Sequence, residues 1–363
     1  MNSRERVLEC INHRKPDRPP IFATLTPQVA QRLAHELNLP AEPPLDSLLS
    51  TRISHSKLLT ALGNDCVGIA ACAPADKLTS TDENGIITNE WGMRFKNVDL
   101  YNEFYEYPLA GVQSVEEVEA YPFPDPLARG RFDAAKEAVE IYAQDYAIVA
   151  DLETSIFETA WYLVGLEKFL MDLTTGAAYI NVLLNKIQAI NTEIGKQLIK
   201  LGADIIWAGD DFGSQTGMIM SPQQWRSIFK PRIKAMFDEF RAVNPNIKIA
   251  WHSCGSITPI IPDFIEIGLD LLNPIQPLSA GMEPEFLAKE YGNELVFFGG
   301  IDVQNLLPYK SPAEIRSEVQ RLIDILGKNG GYIVAPAHNI QDDTPTENII
   351  ALFEAVKEYR GYR

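Results

Sequence analysis

The segment His252-Ser253-Cys254-Gly255 holds a histidine and a cysteine two positions apart, directly after an apolar run. Side chains two apart in a β-strand point to the same face, so His252 and Cys254 are predicted to share one face. An imidazole nitrogen and a thiolate on one face suit a zinc ion. A buried cysteine beside a hydrogen-bonded histidine has the same spacing, so the pair alone leaves both interpretations open.

A catalytic zinc ion needs a third protein ligand and an open fourth position. The third ligand must come from elsewhere in the chain. His338 follows the last apolar run, and we predict that it is this ligand. The remaining histidines, His13, His35 and His55, lie outside any ligand spacing and are predicted to be structural.

Further polar side chains follow the other apolar runs. They are Asp151, Glu153, Asp210, Asp211, Asn273, Gln276, Asp302 and Asn339. If polar residues only marked the starts of loops, we would expect lysine, serine and glutamate there. Instead two of the five histidines and one of the four cysteines lie at run ends. The residue types therefore favour a reactive site over ordinary polar loops.

Eight short apolar runs recur along the chain, and a helix-like pattern follows each of them. The runs cover 20–25, 66–71, 147–152, 203–208, 247–251, 269–274, 295–299 and 332–335. Continuous apolar runs suit strands that are buried on both faces of a parallel sheet. Eight such βα units predict an α/β fold, a (β/α)8 TIM barrel formed by one domain over 1–363. Chemistry in this fold lies at the carboxyl ends of the strands, where the polar residues collect.

One region interrupts the alternation of strands and helices. Residues 78–108 contain Asn84-Gly85 between β-prone segments, which is a strong hairpin signal, and then Trp91 with several tyrosines and phenylalanines. We predict a small antiparallel hairpin insertion after the second strand, resting on the barrel mouth. Its aromatic side chains either flank a ligand or form a hydrophobic lid that packs on the barrel.

The composition argues against several classes of protein. The chain has 32 basic and 49 acidic residues and a net charge of −17, which disfavours nucleic acid or an anionic membrane as a partner. Its four cysteines are too widely spaced for a disulfide scaffold. No segment has the roughly 20 apolar residues of a membrane span. The first residues lack the apolar core of a secretory signal, so we expect a cytoplasmic protein.

Several segments together resemble the uroporphyrinogen decarboxylase superfamily, and within it the cobalamin-linked methyltransferase and demethylase branch. They are 4–8 with 16–20, Gly209-Asp210-Asp211 with Ser221-Pro222, His252-Ser253-Cys254-Gly255, 298–302 and 335–340. The resemblance covers nearly the whole chain and implies the same (β/α)8 barrel. These motifs are specific for the superfamily and much less specific for the reaction.

Two departures from the family pattern bear on the reaction. The decarboxylases carry an Arg-Gln-Ala-Gly-Arg segment just after the first strand, where this chain has Thr24-Leu25-Thr26-Pro27-Gln28. A porphyrinogen would lack counter-charges for its many carboxylates, so its decarboxylation is not expected. The thiol-methylating relatives bind zinc through His-x-Cys and a later cysteine, and His338 stands at that later position. One thiolate fewer makes the metal more electrophilic, which suits an ether or amine substrate as well as a thiol.

The resemblance and the residues together predict a zinc-dependent, corrinoid-linked methyltransferase. Zinc on His252, Cys254 and His338 would polarise the heteroatom of a small O-, N- or S-methylated substrate. The methyl group would pass to or from the cobalt of a corrinoid (cobalamin) carried by a partner protein. The predicted catalytic residues are Asp210, Asp211 and Glu153, which would complete the zinc shell or donate a proton. The predicted substrate-binding residues are Asn273, Gln276, Asp302, Asn339 and Trp91.

Two alternative functions stay open. The first is a metal-free decarboxylase of a smaller acid, with His338 and an aspartate as the acid–base pair. The second is a non-catalytic protein that binds a corrinoid or another tetrapyrrole. The metal content of the purified protein separates the methyltransferase from the decarboxylase, and a methyl-transfer assay with cobalamin separates it from the binding protein.

Overall fold

The computed structural model describes residues 1–45, 52–74, 79–98, 101–152 and 154–361. Its main sheet has seven parallel strands that follow one another in chain order. Strands are numbered along the whole chain, and β2 to β5 belong to the insertion described below. The strands of the main sheet are β1 (Cys66–Ala70), β6 (Ala147–Asp151), β7 (Ile205–Gly209), β8 (Lys248–His252), β9 (Leu271–Asn273), β10 (Val296–Ile301) and β11 (Tyr332–Pro336).

Helices follow the strands and cover the sheet. They are α1 (Ser3–Cys10), α2 (Pro27–Glu36), α3 (Ser56–Leu62), α4 (Val115–Ala120), α5 (Asp133–Tyr142), α6 (Phe157–Val164), α7 (Leu166–Thr175), α8 (Ala178–Lys200), α9 (Pro222–Ile228), α10 (Lys230–Val243), α11 (Ile261–Glu266), α12 (Pro284–Tyr291), α13 (Leu306–Tyr309), α14 (Pro312–Leu326) and α15 (Thr346–Glu358). A short 3₁₀ turn, Thr258–Ile260, precedes α11. Among the described helices, none is both long enough and apolar enough to cross a bilayer.

The first predicted run, 20–25, does not form a regular strand. Ile21 makes an isolated parallel bridge to Val334 of β11. On its other side, the Asn64 side chain bonds both backbone groups of Ala23, at 2.9 Å each, in place of a strand ladder. Seven of the eight predicted runs are therefore confirmed as regular strands of a curled, barrel-like α/β sheet.

The two faces of the sheet pack into separate cores because side chains alternate along each strand. Ala147, Val149 and Ile205 belong to an inner cluster, which the α1 side chain Val7 joins. Their strand neighbours, such as Ile206, belong to the outer cluster that the helices cover. Every position of β6 and β7 is buried, as expected for a parallel sheet enclosed on both sides.

The predicted antiparallel insertion follows β1, the second of the eight predicted runs. It is a four-stranded sheet rather than one hairpin, with β2 (Ser80–Thr81), β3 (Ile87–Thr88), β4 (Arg94–Val98) and β5 (Tyr101–Glu106) in that order. At its first turn the Asp82 carboxylate accepts hydrogen bonds from the backbone of Asn84 and Ile86. Gly85 has φ of 76° there, a conformation that glycine adopts without strain.

Candidate metal and ligand site

Three side chains converge at the carboxyl ends of β7 and β8. Parallel pairing places Gly209 opposite His252, so the residues that follow these two strands come side by side. The donor atoms of Asp211, His252 and Cys254 lie within 4.8 Å of one another. His252 Nε2 is 3.4 Å from Cys254 Sγ and 3.6 Å from the Asp211 carboxylate.

The orientation of the His252 ring is set by Asn273, its partner on β9. The Asn273 Nδ2 group donates to the carbonyl of Phe298 at 3.0 Å, so the Oδ1 atom faces His252 as an acceptor. It lies 2.6 Å from His252 Nδ1, which must therefore carry the proton. The lone pair on Nε2 is then directed to the side of Cys254 and Asp211, as a metal ligand requires.

The loop after β8 is held in place by hydrogen bonds that its backbone N–H groups donate to neighbouring side chains. The N–H of Cys254 donates to the Asp211 carboxylate at 2.7 Å, and the N–H of Gly255 donates to the Gln276 side chain at 2.7 Å. Gly255 has φ of 80°, and a Cβ there would lie 2.4 Å from the carbonyl carbon of Gly213. The close backbone approach of these two loops places Cys254 beside Asp211.

The electrostatics of the cluster favour a bound cation. Burial raises the pKa of the Cys254 thiol, and the carboxylates of Asp211 and Glu158 raise it further. Burial also raises the pKa of Glu158, with the neighbouring Asp211 and Asp210 adding to the effect. Burial lowers the pKa of His252, so its imidazole is neutral near pH 7. Nitrogen, sulfur and oxygen donors in an acidic, enclosed setting fit zinc.

Asp210, a predicted catalytic residue, lies outside the group of donor atoms and bonds to the backbone near the start of α6. Its fully buried carboxylate accepts hydrogen bonds from the backbone of Ser155, Ile156 and Glu158, at 2.9 to 3.2 Å. Burial raises its pKa to about 7. The carboxylate therefore anchors the start of α6. Of the other predicted acids, Asp211 is in the cluster and Glu153 lies outside the described residues.

Glu158 is a site residue that the sequence patterns did not indicate. Its carboxylate accepts hydrogen bonds from the N–H of Asp211 at 3.0 Å and from the Tyr162 hydroxyl at 2.9 Å. An acid in the first turn of a helix is usually explained by the helix dipole, so its position carried no distinct signal. Only the packing of α6 against the β7 loop brings Glu158 to Asp211.

A pocket lies next to the cluster and includes His252. It is lined by Phe22, Thr24, Arg52, Trp207, His252, Asn273, Phe298, Ala335, Pro336, Ala337, His338 and Asn339. His338 lines this pocket but does not belong to the group of donor atoms within 4.8 Å found among the described residues. In this structure Asp211, not His338, is the third member beside His252 and Cys254. The Thr24 hydroxyl donates to the Asn339 side chain at 2.6 Å.

The predicted substrate-binding residues are divided between two neighbouring pockets. Asn273 and Asn339 lie in the pocket with His252, whereas Gln276 and Asp302 line an adjoining one that shares Ala337. The Asp302 carboxylate accepts hydrogen bonds from three backbone N–H groups at the start of α13. Asp302 therefore holds a loop, a use that the sequence did not predict.

Trp91 lies in the hydrophobic interior, away from both pockets. Its side chain is 1% exposed and packs edge-on against Phe123, with ring centroids 6.3 Å apart. Trp91, a predicted substrate-binding residue, does not line either of these pockets. Another aromatic residue of the insertion, Phe104, is connected to the site through Tyr162. The two rings are stacked with their centroids 4.7 Å apart, and the Tyr162 hydroxyl donates to Glu158.

Comparisons with known proteins support the family resemblance. Residues 106–359 match the family described as uroporphyrinogen decarboxylase (URO-D). A methylated-thiol–coenzyme M methyltransferase from Methanosarcina mazei is 23% identical over 245 residues, 66% of this chain and 62% of that protein. A methylcobamide:CoM methyltransferase MtaA from Methanosarcina barkeri is 25% identical over 260 residues, 67% of this chain and 71% of that protein.

Relatives of the decarboxylase type and a solved structure match as well. A uroporphyrinogen decarboxylase from Legionella pneumophila is 23% identical over 298 residues, 80% of this chain and 78% of that protein. The solved structure described as a methyltransferase from Methanosarcina mazei has a TM-score of 0.72 at 19% identity and covers 99% of both chains, which shows the shared fold. On the extent of the family match, and as its motifs predict, the chain belongs to the uroporphyrinogen decarboxylase (URO-D) family.

Proposed function

We propose that this protein is a zinc-dependent methyltransferase that moves a methyl group between a small methylated substrate and the cobalt of a corrinoid carried by a partner protein. The observation that carries the proposal is the convergence of His252, Cys254 and Asp211 at the carboxyl ends of adjacent strands. Relatives named as methyltransferases for methylated thiols and for methylcobamide support the transferred group and the corrinoid. We also infer that the segment 20–25 completes an eight-stranded barrel.

The chain's own residues would hold and orient the metal. His252 Nε2, Cys254 Sγ and an Asp211 oxygen would be the ligands, and zinc bound there would act as a Lewis acid on the substrate heteroatom. Asn273 keeps the His252 ring in the ligating tautomer. The Glu158 carboxylate positions Asp211 by accepting a hydrogen bond from the Asp211 backbone N–H.

His338 is suited to proton transfer at the substrate heteroatom. Desolvation in the pocket lowers the pKa of His338, and the proximity of His252 and Arg52 lowers it further, so the imidazole is neutral near pH 7. A neutral imidazole can take up one proton and return it. The cavity in this pocket has a volume of about 30 Å³, whereas one water molecule needs about 10–15 Å³ measured in the same way, so the pocket favours a small substrate.

The first test is the metal content of the purified protein. We expect about one zinc ion per chain, since the site has three close donors. Cys254→Ala should lose most of the zinc. Cys72→Ala is the matched control, because Cys72 lies outside the cluster of Asp211, His252 and Cys254. A wild-type protein that stays metal-free in the presence of zinc, yet transfers methyl groups, would contradict the proposal.

The second test measures the reaction. Methyl transfer between methylcobalamin or cob(I)alamin and a suitable small substrate should be detectable, and Cys254→Ala should abolish it. Release of carbon dioxide from uroporphyrinogen would instead favour the activity of the parent decarboxylase, for which the Legionella relative is named. Tight corrinoid binding without any methyl transfer would favour a binding protein.

A further inference from the structure

We propose that the pocket lined by Gln215, Gln276 and Asp302 binds a primary carboxamide group, one of those at the edge of the corrin ring that the partner protein carries. The inference rests on the proposed function and deepens it, because it assigns a part of this chain to the recognition of the corrinoid. This pocket holds no member of the donor cluster. It adjoins the pocket that contains His252, and the two share Ala337, so a large ligand that faces one can extend a side chain into the other.

Two glutamine side chains supply this pocket with hydrogen-bond donors. The Gln276 Oε1 atom accepts a hydrogen bond from the Gly255 N–H at 2.7 Å, and the Gln215 Oε1 atom accepts one from the Ser279 hydroxyl at 3.2 Å. With its oxygen engaged, each amide directs its Nε2 group away from that contact. In the described part of the chain, neither Nε2 group donates to another protein atom. Both groups therefore remain as donors for the carbonyl oxygen of a ligand.

Asp302 supplies the pocket with an acceptor. Its Oδ1 atom accepts a hydrogen bond from the Gln304 N–H at 3.1 Å, and its Oδ2 atom accepts two from the N–H groups of Asn305 and Leu306, at 2.8 Å each. A carboxylate has about four lone-pair sites, so Oδ1 can accept one further N–H. The three backbone bonds hold the carboxylate in one orientation, which prepares this acceptor for a ligand.

A primary carboxamide matches these groups better than a charged ligand does. It has N–H donors for Asp302 and a carbonyl oxygen for the glutamine donors. Of the described residues that line the pocket, Asp302 is the charged one and none is basic, so a ligand carboxylate would meet a like charge without a counter-charge. A cationic ligand would leave the two Nε2 donors without an acceptor.

The position of the pocket suits a large ligand that a partner presents. Its loops are joined by hydrogen bonds from the Ala280 N–H to the Gln215 carbonyl and from the Ser279 N–H to the Gln276 carbonyl, both at 3.0 Å, so the pocket is preformed. Its volume is about 20 Å³, whereas one water molecule needs about 10–15 Å³ measured in the same way, so it fits the end of one side chain. Leu278 on its border is 53% exposed, which leaves the pocket open to a partner.

The test is equilibrium dialysis of the purified protein against dicyanocobinamide, whose ring carries primary carboxamides, with the absorbance of the corrin as the readout. The heptamethyl ester of dicyanocobyrinic acid is the neutral comparison, because its esters lack the N–H donors. Cyanide on both axial sites of the cobalt keeps the metal from binding protein side chains. We expect cobinamide to bind and the ester to bind at least about tenfold more weakly, as for the loss of a hydrogen bond to a charged group. Absence of cobinamide binding, or equal binding of the two corrinoids, would overturn the proposal.

Variants then assign the binding to this pocket. Gln215→Met keeps the length of the side chain and removes its N–H donor, so it should weaken cobinamide binding about two- to tenfold, the effect of one neutral hydrogen bond. Gln276→Glu keeps the acceptor for the Gly255 N–H but replaces the donor by a second carboxylate in the pocket with Asp302, so it should weaken binding at least as much. Gln320→Met, at an exposed position of α14, is the matched control and should bind as the wild type does. Thermal unfolding checks that each variant folds. Wild-type affinity in both Gln215→Met and Gln276→Glu would overturn the proposal.

The zinc site and this pocket need separate readouts. Cys254→Ala, which should lose zinc, should bind cobinamide as the wild type does. Loss of cobinamide binding in Cys254→Ala, with wild-type binding in Gln215→Met, would place the corrinoid at the metal cluster and overturn the pocket alone. A protein that binds cobinamide through this pocket, but neither holds zinc nor transfers methyl groups, would contradict the proposed function alone.

Discussion

The Oδ1 atom of Asn273 lies 2.6 Å from Nδ1 of His252, and this contact decides which ring nitrogen is available to a metal. Asn273 has its amide direction fixed by the bond to the Phe298 carbonyl, so the contact cannot reverse its polarity. The orienting residue and the ligand are neighbours on adjacent parallel strands. The register of β8 and β9 therefore determines how the His252 ring is oriented in the candidate metal site.

Asn273→Leu is expected to lower zinc affinity about 10- to 100-fold, the range typical for loss of a hydrogen bond to a ligating histidine. Asn273→Asp should give an intermediate affinity, because its carboxylate accepts the hydrogen bond from His252 but cannot donate to the Phe298 carbonyl. Competition with a chromogenic chelator measures both. An unchanged affinity in Asn273→Leu would show that the His252 tautomer is set by another contact.

Asp211→Ala and His338→Ala should separate the two candidates for the third ligand. Asp211→Ala should lose most of the zinc, because two ligands rarely hold the ion against water. His338→Ala should keep the zinc and lose turnover, because His338 lies in the pocket but outside the donor cluster. Zinc stoichiometry is measured together with methyl-transfer rate in each variant. Loss of zinc in His338→Ala with retention in Asp211→Ala would restore the ligand set predicted from the sequence.

Gly209→Ala should disturb the site by displacing the backbone of β8 at His252. A Cβ at Gly209 would lie 2.5 Å from Cβ of His252 and 2.6 Å from its carbonyl oxygen, so the backbone of β8 would have to move. We expect the free energy of unfolding to fall by about 1–3 kcal/mol, as for other overpacked positions, and zinc affinity to fall with it. Chemical denaturation measures the first quantity.

Gly217→Ala is the matched control for this change, because a Cβ at Gly217 would meet nothing within 4 Å. Its free energy of unfolding should stay within about 0.5 kcal/mol of the wild type, as for most surface substitutions. Equal stability of the two alanine variants would mean that the contact between Gly209 and His252 is looser than the structure shows.

The contribution of the two structural histidines His13 and His55 to the stability of the protein should fall as the pH drops below about 6.5, whereas the raised pKa values of Asp210 and Glu158 act in the opposite direction. Burial lowers the pKa of His55, and His13 shifts in the same direction for the same reason. The neutral imidazole is favoured in the folded state, so the unfolded chain binds more protons once the pH passes below its own pKa. The contribution of each histidine is therefore fully present above about pH 6.5 and is lost as the pH falls toward the folded pKa.

His55→Asn should make this decline shallower. His55 has φ of 64°, and asparagine is among the residues that tolerate this conformation. The variant thus keeps the backbone and removes one titrating group. Urea denaturation from pH 5 to 8 measures the effect, with the exposed His35→Gln as the control. An identical pH dependence in wild type and His55→Asn would remove His55 from the explanation.

The sequence allowed most of the fold to be predicted, because the period of apolar residues reports local geometry. Seven of eight apolar runs are parallel strands. The exception, 20–25, pairs on one side with the side chain of Asn64. An apolar pattern cannot show that a side chain replaces a backbone partner. The turn at Asn84-Gly85 was likewise predictable from the sequence. The number of strands in the insertion was not, because it depends on pairings between residues farther apart in the chain.

The site was predictable only where its residues are close in the chain. His252 is the last residue of β8, and Cys254 lies two positions later in the loop that follows, so the sequence alone indicated that they are neighbours. Asp210 and Asp211 are adjacent and chemically identical, and only the packing shows that one anchors α6 while the other faces the donors.

Local sequence thus determined the strands and the end of the sheet at which polar side chains collect, because strand periodicity acts over two to six residues. It also placed His252 and Cys254 only two positions apart in the chain. The tertiary structure alone decided that Asp211 joins the pair ahead of His338, that Glu158 positions Asp211, and that Arg52 reaches the pocket. Each of these relationships joins residues at least 40 positions apart in the chain. The distances between them follow from how the helices and loops pack on the sheet, which no local pattern encodes.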